Sequence, residues 1–450
     1  MGSLIREGKK MSSLLITNGQ LVTLDETNRF IQNGSVYIEN QQIIEVGDTA
    51  SVKRAADRTI DARGSVVMPG LINTHHHLYS TFARGFTPPG SPAGNFEEIL
   101  SKLWWKLDSA LDSQDVYYSA LLALVDAVRA GCTTIIDHHA SPACVDGSLD
   151  KIEKAFKEVG LSGCLSYEVS DRNREGEGIE ENERWIRKCR KSGDGQMSAL
   201  FGMHALMTLG TKTLQRCAEI GRELDTGFHV HTAEDKVDTK RTMTRYNRRI
   251  MDRFQDFEIP GEKTIFVHGS YLEPQDMGIL HDTGSVLVIN PESNMNNGLK
   301  VAPALDLMKH GVTVGLGTDG MSGHLVSQAR AMYLHERTQQ RDPTIGFAEA
   351  CRILLENNRN IANRVFKEPR GALAPGQLAD IIIPEYVPFT PLDAGTFYGH
   401  LLFGLGFAPL RTTIARGKVV MDEGQILHLD EHAIRARCSE RAQRIWDRIH

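Results

Sequence analysis

Eight short apolar runs, rich in β-forming residues, alternate with helical patterns through the middle of this 450-residue chain. The runs cover residues 71–74, 132–137, 163–169, 199–204, 227–231, 264–268, 285–290 and 312–318. Between them lie stretches such as 113–130, 151–159 and 213–224, in which apolar residues recur with the helical period. This alternation predicts an α/β protein built on a closed parallel (β/α)8 TIM barrel, which we place at residues 69–375.

Both ends of the chain are rich in strand formers separated by turn signals. Residues 13–18, 20–24, 34–39 and 42–46 precede the barrel, and residues 379–384, 411–415 and 418–421 follow it. We therefore predict one small β-sandwich built from residues 11–68 and 376–428, followed by a C-terminal helix at 429–450. A long insert after the first barrel strand, from 79 to about 112, is expected to be a lid or specificity element.

Composition argues against several classes of function. The formal charge is −6, and acidic and basic residues are interspersed. The sequence therefore lacks a basic stripe of the kind that would predict a nucleic-acid or membrane partner. No apolar run approaches the roughly 18–20 residues of a membrane-spanning helix. The seven cysteines are scattered, which favours reduced thiols in a cytoplasmic protein over cysteine metal ligands. The first ten residues lack a signal-peptide pattern, and we expect Met11 to be the natural start.

A pair of histidines at the end of the first run carries the clearest chemical signal. His75 and His77 are two residues apart, so their side chains share one face of a strand while His76 points away. Two converging imidazoles are typical ligands of zinc or iron.

Polar residues also end the later runs. His204 closes the fourth run, His229 and His231 close the fifth with Glu234 close behind, His268 closes the sixth, and Asp319 follows the eighth. Catalytic residues of TIM barrels lie at the carboxyl ends of the strands, so these positions predict one site. Three imidazoles and one carboxylate make a catalytic metal site, in which the pKa of a bound water falls to roughly 7.

The residue types suggest distinct catalytic roles. Asp319 is placed to take a proton from the water, Glu234 to protonate a substrate nitrogen, and His268 to polarise the water or relay the proton. Candidates for substrate binding are His138 and His139 after the second run, Asp171 and Arg172 after the third, and Arg84 in the insert. For these five residues, an ordinary core or surface role is the alternative.

Four motifs together resemble the amidohydrolase superfamily, in its branch of cytosine deaminases, chlorohydrolases and guanine deaminases. They are PGLINTHHH at 69–77, HVHTAE at 229–234, HG at 268–269 and GTDG at 317–320. The segments at 103–108, 137–143 and 293–297 further resemble SsnA-type aminohydrolases.

The resemblance implies one divalent metal, zinc before iron, held by His75, His77, His231 and Asp319. It also implies that Glu234 is the proton donor, that His268 assists the water, that His204 contacts the substrate, and that the protein is a homodimer or higher homo-oligomer. His229 is interpreted as a group behind the ligands. No lysine occurs in the third or fourth run, which argues against the lysine-bridged metal pair of binuclear relatives.

These features predict a hydrolase of carbon–nitrogen bonds other than peptide bonds. The favoured reaction is hydrolytic deamination of a small N-heterocycle, purine-, pterin-, pyrimidine- or triazine-like, with release of ammonia. One alternative is hydrolysis of a cyclic amide or another leaving group at the same metal site. A catalytically silent barrel that acts as a scaffold is a further, less favoured alternative, and the ring of the substrate stays open.

Overall fold

The structure is a computed structural model that describes residues 12–449. Residues 1–11, with the expected start at Met11, and His450 lie outside the described residues. None of the described helices is long and apolar enough to cross a membrane. All seven cysteines lie within the described range as free thiols.

The strands within residues 12–449 alternate with helices between β6 and β14. The strands are β1 (Ser13–Val22), β2 (Phe30–Glu39), β3 (Gln42–Asp48), β4 (Arg58–Asp61), β5 (Val66–Pro69), β6 (Leu71–His76), β7 (Cys132–His139), β8 (Ser162–Tyr167), β9 (Met197–Ala199), β10 (Phe201–Met203), β11 (Phe228–Thr232), β12 (Ile265–His268), β13 (Val286–Ile289), β14 (Thr313–Leu316), β15 (Ile381–Pro384), β16 (Leu410–Ala415), β17 (Lys418–Asp422) and β18 (Gln425–Ile426).

The helices lie mainly between the parallel strands. They are α1 (Phe96–Ile99), α2 (Trp105–Ala110), α3 (Ser113–Arg129), α4 (Ser148–Val159), α5 (Ile179–Ser192), α6 (Thr211–Glu223), α7 (Lys236–Tyr246), α8 (Ile250–Asp256), α9 (Pro274–Asp282), α10 (Pro291–Asn296), α11 (Ala304–Lys309), α12 (Leu325–Gln340), α13 (Phe347–Arg352), α14 (Asn358–Val365), α15 (Phe397–Phe403) and α16 (Glu431–Ile449).

All eight apolar runs contain strands of two parallel sheets. One sheet has the order β6-β7-β8-β9 and the other the order β10-β11-β12-β13-β14. The fourth run is divided, because β9 pairs with β8 whereas β10 pairs with β11. The sheets also meet through parallel bridges of His76 with Asp319 and of Val169 with Met203. This α/β arrangement fits a TIM-barrel-like domain.

A nine-stranded sheet draws strands from both ends of the chain. Its order is β18-β17-β16-β15-β5-β1-β2-β3, and β4 pairs with β1. Strand β5 joins the two parts, since it pairs with β1 on one side and with β15 on the other. Gly70 then leads from β5 directly into β6, where a Cβ atom would lie 2.4 Å from the side chain of Thr133. The terminal sheet is therefore anchored to the strand that carries the first histidines.

The insert after β6 is largely helical and is held by the C-terminal helix. It contains α1, a π-helical segment at Leu100–Trp104, and α2. The indole nitrogen of Trp446 in α16 donates to the carbonyl of Phe82 at 2.8 Å, near the start of the insert. Arg441 of α16 also donates to buried Asp115 of α3 at 2.6 Å. These contacts fix one side of the insert against the domain.

Candidate metal centre

Imidazoles and carboxylates from separate strand ends converge in one buried cluster. His77 Nε2 lies 3.1 Å from Asp319 Oδ1 and 3.2 Å from His231 Nε2. His75 Nε2 lies 3.7 Å from Asp319 Oδ1, and ligand atoms of His75, His231 and His268 lie within 4.8 Å of one another. The structure thus brings together all four residues that the sequence predicts as metal ligands.

The local backbone explains why these side chains meet. His76 does point to another side, where its Nδ1 lies 2.7 Å from the carbonyl oxygen of Asp319. A Cβ atom at Gly317 would lie 2.7 Å from His75 Cβ, so only glycine allows β14 and β6 to approach this closely. His268 and Asp319 have φ angles of 72° and 53°. Such left-handed backbone costs about 1–3 kcal/mol per residue and is often found at functional sites.

The unpaired atoms in this cluster fit a divalent cation. His75 Nε2 is buried without a hydrogen-bond partner among the described residues, while its Nδ1 lies 2.9 Å from His229 Nε2. The Nδ1 of His77 lies 2.6 Å from the carbonyl oxygen of His138, to which it can only donate, so Nε2 is the ring nitrogen that faces the cluster. Imidazole nitrogens with one carboxylate suit zinc or iron.

The electrostatics of the cluster also favour a positive charge at its centre. Burial lowers the pKa of His75 to about 3, so this imidazole is neutral. Burial opposes ionisation of Asp319, but the neighbouring imidazoles of His75 and His77 hold its pKa well below the usual value. Burial also disfavours charge on His77, yet Asp319 and Glu168 raise its pKa to about 9. A cation at the centre would balance the negative charges of Asp319 and Glu168 and leave the imidazoles neutral.

Glu234 and Ser293 complete the side of the site around Asp319. Burial, reinforced by the charge of Asp319, raises the pKa of Glu234 well above its usual value. The Oε2 of Glu234 lies 3.5 Å from Nε2 of His268, and burial lowers the pKa of His268. Ser293 donates to Asp319 Oδ2 at 2.5 Å, which leaves Oδ1 facing the imidazoles. The site therefore pairs a carboxyl whose pKa is lowered with one whose pKa is raised.

A cavity opens above this cluster. Glu234, His268 and Asp319 line it, as do His204 and Glu168. Titratable groups from several strand ends therefore share one cavity, as at a small-molecule site.

The far wall of the cavity is formed by the insert and by the loop after β8. Trp105 and Asp108 of α2 both line it. Arg172 Nη2 donates to Asp108 Oδ2 at 2.7 Å, and its guanidinium lies 5.1 Å from the centroid of Trp105. This ion pair, with side chains 11% and 2% exposed, holds α2 over the cavity.

The other predicted substrate-binding residues have partners away from the cavity lining. Arg84 is 61% exposed on its side chain and pairs with Asp126 at 3.0 Å. Asp171 accepts from Gly210 N at 2.6 Å and from Thr213 Oγ1 at 2.7 Å.

The two neighbouring histidines of β7 differ in their surroundings. His139 Nε2 lies 2.9 Å from Ser141 Oγ, away from the cluster. His138 belongs to the buried imidazole cluster, with its Nδ1 3.4 Å from His231 Nε2. His229 lies behind His75, which agrees with its interpretation as a group behind the ligands. The Nδ1 of His229 lies 3.3 Å from Ser166 Oγ.

The sequence analysis did not identify two of the carboxylates at the cavity. Glu168 and Asp108 are 4% and 1% exposed. Glu168 directly follows β8, as polar residues follow the other strands, and this position was the one available signal. Asp108 lies inside a helix of the insert, where an acidic residue is ordinary, so only the fold reveals it.

Comparisons with known proteins agree with this site. The family model described as the amidohydrolase family matches residues 66–420. The chain is 28% identical to a 5'-deoxyadenosine deaminase of Methanosarcina mazei, across 98% of this chain and 100% of the relative. An adenosine deaminase from Xanthomonas campestris with bound zinc has a TM-score of 0.85 at 20% identity, covering 96% of this chain and 98% of that one. An atrazine chlorohydrolase of Arthrobacter aurescens TC1 complexed with zinc has a TM-score of 0.81 at 18% identity, covering 95% and 100%.

The family match covers more than half of the chain and includes every predicted metal ligand. The two solved structures add that the fold extends over nearly the whole length. The resemblance seen in the four sequence motifs is thereby confirmed, and this chain belongs to the amidohydrolase family.

Proposed function

We propose that this protein is a metal-dependent aminohydrolase that deaminates a small N-heterocycle and releases ammonia. The observation that carries this proposal is a pair of carboxyl groups in one cavity, with the pKa of Asp319 lowered by its imidazole partners and the pKa of Glu234 raised by burial. Hydrolytic deamination needs both a base for water and an acid for the ring nitrogen. The 5'-deoxyadenosine deaminase relative supports the same reaction class.

His75, His77, His231 and Asp319 would hold one divalent ion, and zinc is proposed because solved members of the fold carry it. When bound, this ion would lower the pKa of a water and so supply the nucleophile. Ligation by iron is the alternative, since the donor atoms suit both metals.

The residues of the chain would then carry three protons. Asp319 takes a proton from the water as the water oxygen attacks the carbon that bears the amino group, and Glu234 gives its proton to the adjacent ring nitrogen. Asp319 returns its proton to the amino group, the bond between carbon and amino nitrogen breaks to release ammonia, and the hydroxyl proton returns to Glu234 as the carbonyl forms. His268, neutral and 3.5 Å from Glu234, is placed to relay a proton between these carboxyl groups. Water and the amidine are thereby converted into a ring carbonyl and ammonia.

His204 is proposed as a substrate contact, because it lines the cavity. For Arg172, which supports the cavity wall through Trp105, substrate contact stays a prediction from the sequence. For His138, His139, Asp171 and Arg84, a role in substrate binding stays a prediction from the sequence. Their partners in the structure support positioning roles for most of them.

A second candidate reaction is hydrolysis of another leaving group or of a cyclic amide at the same metal centre. The similarity to an atrazine chlorohydrolase supports it at the level of the fold. The raised pKa of Glu234 favours deamination, since protonation of a ring nitrogen assists loss of ammonia. We do not favour a silent scaffold, because every predicted ligand is present in the cluster.

The test is an ammonia-release screen with zinc-loaded protein over aminated purines, pterins, pyrimidines and triazines, including 5'-deoxyadenosine. Asp319→Asn and Glu234→Gln should each lower turnover by about 10² or more. Asp306→Asn, at a side chain 50% exposed on α11, is the matched control and should behave like the wild type. Product analysis by mass spectrometry separates loss of ammonia from ring opening. Wild-type rates in Asp319→Asn would exclude the proposed base.

We also propose the domain division and assembly expected from the sequence. A barrel at 69–375 is supported by the two parallel sheets that meet at both edges. A β-sandwich from 11–68 and 376–428 is supported by one apolar cluster shared by Ile16, Ile38, Ile381 and Ile414. Helix α16 supports the C-terminal helix at 429–450. The homodimer and the cytoplasmic location stay predictions.

A further inference from the structure

A groove beside the cavity is lined by basic residues of α7. Lys236, Lys240, Arg241 and Arg245 line it, and among the described residues Glu97 of α1 is the one acidic residue that does so. The whole chain has a formal charge of −6, so this local excess of positive charge runs against the average. Clustered like charges repel one another and attract a group of the opposite charge. The groove is therefore a candidate site for an anionic group.

The acidic residues at the start of α7 are held outside the groove. Asp235 caps the helix, because its side chain accepts from the backbone nitrogen of Val237 at 2.9 Å. Asp238 is 3% exposed and accepts from the backbone nitrogens of Met207 and Ala233 at 2.9 and 3.1 Å. Acidic and basic residues that alternate along this part of the sequence are thus separated in space.

Two of the lysines have no ion pair that would explain their position. Arg241 pairs with Glu97, whereas Lys236 and Lys240 have no such partner among residues 12–449. They are four residues apart on one helix, where like charges destabilise each other. Lys236 is also the first residue of α7, where the helix dipole disfavours a cation. Residues that local structure disfavours are expected at functional sites.

The groove is continuous with the cavity above the metal cluster. Met207 lines both spaces. Adjacent residues of the chain also divide between them, since Phe96 and Asp235 line the cavity while Glu97 and Lys236 line the groove. A ligand whose ring lies in the cavity can therefore extend past Met207 into the groove. This continuity favours a substituent of the substrate over a separate macromolecule as the anionic group.

We propose that the substrate ring carries a substituent with an anionic group, a phosphate monoester or a carboxylate, which Lys236 and Lys240 bind in the groove. Each ammonium group has three hydrogens to donate, and both kinds of anion offer several acceptor oxygens. An uncharged substituent would leave the repulsion between the two lysines unrelieved. This inference rests on the proposed deaminase function, narrows its substrate class, and makes the two lysines specificity-determining residues.

The test pairs each ring class of the ammonia screen with a derivative that carries a phosphate or a carboxylate. Examples are adenosine with its 5'-phosphate and its 5'-carboxylate, and pterin with pterin-6-carboxylate. Dissociation constants are measured by calorimetry on zinc-loaded Glu234→Gln protein, in which turnover is suppressed. For the ring that fits the cavity, we expect the anionic derivative to bind at least about tenfold more tightly than the uncharged ring.

The double variant Lys236→Gln/Lys240→Gln should remove most of this preference and change binding of the uncharged ring less than about threefold. Raising the salt concentration should also reduce the preference in the wild-type groove, because the lysines are exposed. The two adenosine derivatives show whether phosphate or carboxylate is preferred.

Lys191→Gln/Lys309→Gln is the matched control, because it changes two exposed lysines outside the cavity and the groove and lowers the net charge equally. An equal loss of preference in this control would assign the effect to net charge and overturn the inference. Absence of tighter binding for every anionic derivative would also overturn it. So would a loss of binding to a single-stranded oligonucleotide in the double variant when the small anions bind unchanged, because the lysines would then serve a nucleic acid.

Binding is measured without turnover, so the outcome can be separated from that of the ammonia screen. Lysine-dependent binding of an anionic ring, with no ammonia released from any ring, would support this inference and reject the proposed function. Ammonia release with no preference for an anionic derivative would support the proposed function and reject this inference.

Discussion

Ser293 illustrates how a single hydroxyl can set the direction of a proposed metal ligand. Its bond of 2.5 Å to Asp319 Oδ2 leaves Oδ1 as the oxygen that faces His77 and His75. Groups that orient a ligand in this way are commonly worth 10- to 100-fold in metal affinity or activity. We therefore expect Ser293→Ala to fold normally and to lower zinc affinity or kcat by about 10- to 100-fold.

Zinc affinity of Ser293→Ala is measured by competition with a chelator, and kcat by ammonia release. Ser162→Ala is the matched control, since Ser162 is equally buried and its hydroxyl has no partner in the described residues. Wild-type zinc affinity and kcat in Ser293→Ala would show that Asp319 needs no such restraint.

For single residues, the sequence predicts a site correctly where a short spacing between two residues determines which way their side chains point. His75 and His77 were predictable because alternate residues of a strand share a face. Glu168 has no such partner in the sequence, and its closeness to His204 depends on how β8 and β10 are placed. Arg84 shows the converse, since a residue close to the motif in sequence pairs with Asp126 on the surface.

Among the elements, α2 depends on one buried ion pair for its place over the cavity. Asp108 in α2 pairs with Arg172 in the loop after β8, and both side chains are nearly buried. Removing one charge of a buried pair leaves the other uncompensated. We expect Asp108→Asn to raise KM at least about tenfold with a smaller effect on kcat, because α2 bounds the cavity but lies outside the metal cluster.

Steady-state kinetics measure the separate effects on KM and kcat, and Asp126→Asn, in the partly exposed pair with Arg84, is the control. A loss confined to kcat would contradict the role assigned to α2.

Helix α16 is held to α3 by a second buried charge. Arg441 donates to Asp115, whose side chain is 0% exposed. We expect Arg441→Ala to lower the free energy of unfolding by about 1.5–3 kcal/mol, because Asp115 loses one charged hydrogen bond and keeps, among the described residues, the ion pair with Arg448. Urea unfolding measures this change, with Arg437→Ala on the same helix as control, where the side chain is 63% exposed. Equal stability of the two variants would show that α16 is dispensable for holding α3.

Helices and strands in which apolar residues recur with a clear period were predictable, and elements shaped by tertiary contacts were not. The helix predicted at 113–130 occurs as Ser113–Arg129, since its period and its acidic N-terminus agree. The insert contains Pro88 and several glycines, which suggest an open loop, yet its second half is helical because Trp105 and Asp108 pack at the cavity.

For the molecule as a whole, the metal centre connects strands that are distant in sequence. His75 of β6, His231 of β11 and Asp319 after β14 meet only when the parallel sheets are assembled. The order of motifs along the chain predicted this meeting, but the cavity above it was not predictable, because its wall comes from an insert whose conformation depends on long-range contacts.

Removal of the metal should therefore destabilise the assembled domain and not the chemistry alone. A ligand at a thousand times its dissociation constant that binds only the folded state stabilises it by about 4 kcal/mol. In its absence the imidazoles and the carboxylates of the cluster lose their shared partner. We expect chelation to lower the thermal midpoint of unfolding by about 4–8 °C and zinc to restore it, as measured by scanning calorimetry.

Asp319→Asn, which lacks one ligand, should show a smaller shift of this midpoint on chelation than the wild type. If metal analysis shows the ion to be removed and the wild-type midpoint does not move, then the cluster is stable on its own, and the ion does not contribute to holding the two parallel sheets together.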